Sequence, residues 1–216
     1  MYTTDALAGE PTSLPLWFTV PNQFTEIDLT EPIGQRMRRI NEQAGVLPGT
    51  DVSQRANAVF AQEALLGQLA RAGAVYAAHC IARSEHEPHR IVTGLFTVLV
   101  QEPPGLSEQS MATIARGLHE PGEPSETLLL DYPAGQAIVH GEQRLVTFNG
   151  GTQSMRQAQV IFRLPDLQRL AIFSMSTSDI DDWEDFAGIL DGIARSVSFT
   201  PPSDPNSALR NALDGD

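Results

Sequence analysis

Lysine is missing from the 216-residue chain: all fourteen basic residues are arginine, set against 27 acidic ones, for a net charge of −13. So little basic charge argues against a general nucleic-acid binder, which neutralises phosphates with clustered cations. An anionic membrane surface would repel the chain for the same reason. Cysteine is nearly absent too. Cys80 stands alone, which excludes an internal disulfide and a cysteine-built zinc site. Long apolar runs are lacking: Ile91–Val100 is about half the roughly 20 residues of a spanning helix, so no membrane insertion is expected. The first eleven residues have neither a basic start nor an apolar core, so they do not read as a signal peptide, and a cytoplasmic location is expected.

Catalytic signatures are also wanting. No Gly-x-Ser-x-Gly elbow occurs. Asn149-Gly150-Gly151-Thr152 has neither the lysine nor the following helix of a phosphate-binding loop and reads as a turn. Neither a catalytic residue nor a cofactor is expected. What remains, 41% apolar and 19% charged residues, is ordinary globular composition. It predicts one domain over 14–200, a loose arm over 1–13 and a loose tail over 201–216. In that tail Ala208, Leu209, Ala212 and Leu213 would share one side of a short helix.

Periodicity supplies the elements. Leu16–Val20 and Phe24–Leu29 read as strands, the second alternating apolar and polar with period two. Pro32 opens a helix whose stripe is Ile33, Met37 and Ile40. A longer helix runs from about Ser53 to Ala72, with Gly73 as its C-cap. Ala74–Ala82 and Arg90–Gln101 form an antiparallel hairpin, with His79 and Cys80 on opposite faces. One helix is predicted from Ser107 to Leu118. Strands follow at Thr127–Asp131, Gln136–His140, Leu145–Phe148, Met155–Leu164 and Arg169–Thr177. A helix over Asp182–Arg195 and an edge at Ser196–Phe199 close the body. Strands in runs, with helices between the runs, predict an α+β class, a mainly antiparallel sheet flanked by helices.

The C-terminal third carries a resemblance. Arg169–Thr177 as a strand, Asp182-Trp183-Glu184-Asp185-Phe186 opening a helix, and Ile193–Phe199 closing it resemble the end of the PsbP-like α/β/α sandwich. That fold also includes a Ran-binding nuclear import factor and the bacterial protein DcrB. The opening Pro15-Leu16-Trp17-Phe18-Thr19-Val20-Pro21 is similar to their first strand. Over most of 14–200 the chain resembles uncharacterised actinobacterial proteins, through the segment Ala70–Cys80 and the turn Asp131-Tyr132-Pro133-Ala134-Gly135. The resemblance implies the sandwich. It carries over no functional residue, because these proteins bind unlike partners and share no catalytic motif.

Two clusters bear on function. Asp179, Asp181, Asp182, Glu184 and Asp185 crowd the start of the last helix. Asp179 or Asp181 can cap it, and the dipole there favours negative charge. The surplus would steer a basic protein partner. His79, His86 and His89, near Cys80 and Glu87, are competent metal ligands, although no second ligand pair at standard spacing follows. The first expectation is therefore a non-catalytic protein-binding module or accessory subunit. The alternative is a small-molecule or metal-binding protein, possibly an enzyme, with its site near those histidines.

Overall fold

The computed structural model describes residues 15–44, 66–118, 124–148 and 151–201. Seven strands are joined in the order β1-β2-β3-β7-β6-β5-β4, and every neighbouring pair is antiparallel. They are β1 (Phe24–Glu26), β2 (Ala74–Arg83), β3 (Ile91–Gln101), β4 (Ser125–Tyr132), β5 (Gly135–Phe148), β6 (Gly151–Arg163) and β7 (Leu170–Thr177). The helices are α1 (Ile33–Ala44), α2 (Met111–Gly117) and α3 (Trp183–Arg195), with 3-10 turns at Leu106–Glu108 and Ile180–Asp182. The class is α+β.

Period-two alternation splits the sheet's side chains between two faces, and helices cover both. On one face Tyr76, Phe96, Phe162 and Phe173 pack under Phe186, Leu190 and Ile193 of α3 and under Leu16, Phe18 and Val20 of the incoming chain. Gly94 of β3 lets α3 come close: a Cβ there would lie 2.5 Å from the ring of Phe186. On the opposite face Met111, Ile114 and Ala115 of α2 cover Ile138, Ile161 and Leu170. Leu66 and Leu69, in a helical stretch over 66–71, pack with Ile27, Ala77 and Leu95. Gly73 ends that stretch at φ +89°, where a Cβ would strike the Val100 carbonyl, so the C-cap role holds.

Tyr132, at the C-terminal end of β4, is buried, and its hydroxyl donates to Asp191 of α3 at 3.0 Å. Burial first, then the bond to and charge of Asp191, push its pKa up to about 12, partly offset by Arg195.

Several sequence expectations need correction. Leu16–Val20 is no strand; only Trp17 and Phe18 are bridge residues, Trp17 with Ser198, because the segment lies over the core face rather than in the sheet. Only three residues of Phe24–Leu29 form β1. In α1, of the expected stripe Ile33 is exposed and Met37 half-buried, while Arg36 is buried; the Ile40 side chain lies outside the described ones. Arg36 reaches the carbonyls of Asp28, Leu29 and Glu31, tying the helix to its own entry loop. The helix expected over Ser107–Leu118 is broken at Ser110, which turns extended and accepts the Thr113 amide as an N-cap. The two strands expected at Gln136–His140 and Leu145–Phe148 are one, because the residues between them stay paired: Gly141 and Glu142 with both β4 and β6, Gln143 and Arg144 with β6. Most of the Ser53–Ala72 helix, the arm over 1–13 and Ala208, Leu209, Ala212 and Leu213 lie outside the described residues.

Candidate functional site

The acidic cluster at the head of α3 is divided by the fold. Asp179 accepts the Thr93 amide at 2.7 Å, and its other oxygen lies 3.7 Å from Arg90. Asp182 is 1% exposed and accepts from the Ser84 hydroxyl and the Arg90 guanidinium. Ser84 in turn accepts the amides of His86 and Glu87. Two of the five carboxylates therefore fasten the β2–β3 turn to α3. Capping by Asp179 or Asp181 does not occur: Asp182 holds the N-cap position, and its side chain makes no cap bond. Asp181 and Glu184 are exposed and Asp185 is half-buried, so three remain at the surface.

The three histidines do not converge. His79 pairs with Leu95, four rungs inward from the pair Arg83–Ile91, roughly 13 Å along the ladder. His86 and His89 sit exposed in the turn beyond. His86 lies 4.0 Å from Asp185, and these two with Asp182 form a possible cation triad within 4.8 Å. Asp182 already serves a hydroxyl and a guanidinium, so a metal there would displace a buried arginine contact. Cys80 is buried, and burial pushes its thiol pKa up. That suits a packed residue and not a reactive thiolate.

A different place combines openness with built chemistry. Among the described residues β4 ends the sheet order, pairing with β5 alone. Leu128, Leu129 and Leu130 follow one another along it at 47%, 37% and 41% exposure. Edge strands are normally blunted by charge, proline or cover, since open N–H and C=O groups template pairing with another chain. Here the charges, Glu126 and Asp131, flank the apolar centre without interrupting it. Beside this edge Ala112, Ala115 and Arg116 of α2, with Thr127, Leu128 and Leu129 of β4, line a groove of about 450 Å³.

A second, polar cleft of about 350 Å³ lies between the C-terminal end of α2 (Gly117, Leu118) and the sheet. Antiparallel register builds its floor. Thr127, His140 and Gln159 face one another across β4, β5 and β6, as do Ser125, Glu142 and Gln157. The first row runs on to Ser174 and Thr97, both buried. A transverse polar strip thus separates the apolar patch under α2 from the one at Leu66. His140 Nδ1 lies 2.8 Å from the Thr127 hydroxyl. Its Nε2 lies 3.7 Å from Glu142 Oε2, which also meets Arg144 at 2.8 Å. The His140 and Glu142 side chains are 7% and 8% exposed. At 3.7 Å the carboxylate does not hold the imidazole by a hydrogen bond.

Sequence reading missed this site because Gly141–Arg144 looks like a turn between two strands. The available signal was the alternation Ile138, His140, Glu142, Arg144, one face passing from apolar to polar without losing period two. Among the described residues no helix is long and apolar enough to cross a membrane. Compared with known proteins, the chain matches no protein family and no characterised sequence.

Proposed function

We propose that the chain is a cytoplasmic protein-binding module that takes an extended segment of its partner by strand addition along β4. The observation that carries this reading is the open edge itself, three consecutive exposed leucines beside a helix-walled groove. Main-chain pairing on such an edge supplies affinity, and pockets for alternate side chains supply specificity. A net charge of −13, with Glu126 and Asp131 at the two ends of the apolar run, favours a segment with basic flanks. The same charge opposes pairing with a second copy. Kinship with the PsbP-like proteins belongs to the proposal; helices on both faces of an antiparallel sheet support it at the level of architecture.

The test is capture from host extract on N-terminally tagged protein, comparing the natural chain with Leu129→Lys. A lysine at the centre of the edge blunts it and lies on an exposed position, so folding is retained. The natural chain should hold one stoichiometric partner, weakened by salt, and the variant about tenfold less of it or none. Equal capture by a folded Leu129→Lys variant overturns the reading, and concentration-dependent dimerisation lost in the variant would replace the partner with a second copy.

A further inference from the structure

We infer that the polar cleft beside β4 is a subsite for a primary ammonium group, brought by a lysine side chain of the docked segment. The inference rests on the strand-addition reading and adds the chemistry that the partner must carry.

The cleft holds acceptors that the fold leaves unspent. Both described contacts of Glu142, to His140 and Arg144, use Oε2; among the described residues Oε1 has none. The Ser125 hydroxyl oxygen is buried and has no hydrogen-bond partner among them. Ser125 and Glu142 are directly opposed in register, which sets their Cβ atoms about 5 Å apart. Gln157 and Gln159 complete the floor, and Gln157 spends its N–H on Ser174, leaving its carbonyl oxygen as a third acceptor. A carboxylate oxygen, a hydroxyl and an amide carbonyl around one small volume match an ammonium, a compact charge with three donors. The planar fork of an arginine fits this scattered set less well. A carboxylate that is nine-tenths buried, with one half-exposed arginine as its formal cation, also gains from a second cation brought into the same cleft.

Register then fixes where the lysine must stand. Ser125, Thr127 and Leu129 share one face of β4, two residues apart, about 7 Å per step. The groove lies at Thr127 and Leu129 and the cleft at Ser125. A strand added to β4 therefore needs an apolar residue over the groove and a lysine two residues away on the same face. The chain itself contains no lysine, so no side chain of a second copy can fill the subsite.

The experiment selects peptides from a displayed random library on the folded full-length chain. The strongest binder is then measured with its lysine free and acetylated, against the natural chain, Leu129→Lys and Glu142→Gln. The expected peptides carry the spaced apolar–lysine pair; acetylation weakens binding to the natural chain about tenfold or more, and Glu142→Gln loses that discrimination. Acetylation changes the ligand and not the protein, so the result does not depend on how well Glu142→Gln folds. If the peptides are sensitive to Leu129→Lys but indifferent to acetylation, the ammonium subsite is wrong and strand addition stands. If no peptide sensitive to Leu129→Lys emerges, both readings fail.

Discussion

Replacing Phe173 by alanine should lower stability by about 3–5 kcal/mol, the usual cost of emptying a buried phenylalanine site. Phe173 is fully buried at the middle of β7, and its ring meets those of Phe18, Phe96 and Phe162 at centroid distances of 5.3, 6.4 and 5.8 Å. These partners come from the incoming chain, β3 and β6, so the cavity would loosen three elements together. A domain of this size shifts its melting temperature by about 2–4 °C per kcal/mol, which predicts a drop of about 6–20 °C by calorimetry. Leu145→Ala is the control: Leu145 is exposed, and the same truncation there should stay within about 0.5 kcal/mol. Equal losses at the two positions would mean that the rings around Phe173 are not the core.

Asp182→Ala should cost about 3 kcal/mol, the low end for removing one partner of a buried ion pair. The low end applies because Arg90 is 28% exposed and keeps Asp179 and Glu87 as neighbours. Ser84 loses its acceptor but still receives two amides of the β2–β3 turn. Asp182→Asn retains one acceptor oxygen and should lose less. Chemical denaturation of the three proteins checks the order. If alanine were neutral, the head of α3 would not be fastened through this carboxylate, and Asp182 would rejoin the other acids as a candidate docking residue.

Legibility in the sequence followed local pattern. The β2–β3 hairpin, β7 and α3 were readable because their periodicity is sustained and their ends carry turn residues. The same clarity placed His79 and Cys80 on opposite faces. Failures came where a long-range partner overrules the local signal. Leu16–Val20 is apolar in the manner of a strand, yet it serves as a cover for the rings of the core. Arg36 took the buried side of α1 because three loop carbonyls await it, which periodicity does not encode. β5 was read as two strands because its polar middle faces a cleft, and a polar run inside a strand looks like a turn until its neighbours are known. The candidate site was thus hidden by the feature that makes it a site. The acidic cluster was conspicuous in sequence, and the fold turns two of its members inward as fasteners.

The claim that β4 is the docking edge is tested most directly by amide hydrogen exchange on the chain alone and in complex with the partner captured from extract. Added strand pairing should slow exchange across Ser125–Tyr132 and at the α2 wall, leaving the head of α3 unchanged. Protection confined to Asp181, Glu184 and Asp185, with β4 exchanging as in the free chain, would contradict the account and return the binding surface to the acidic helix start.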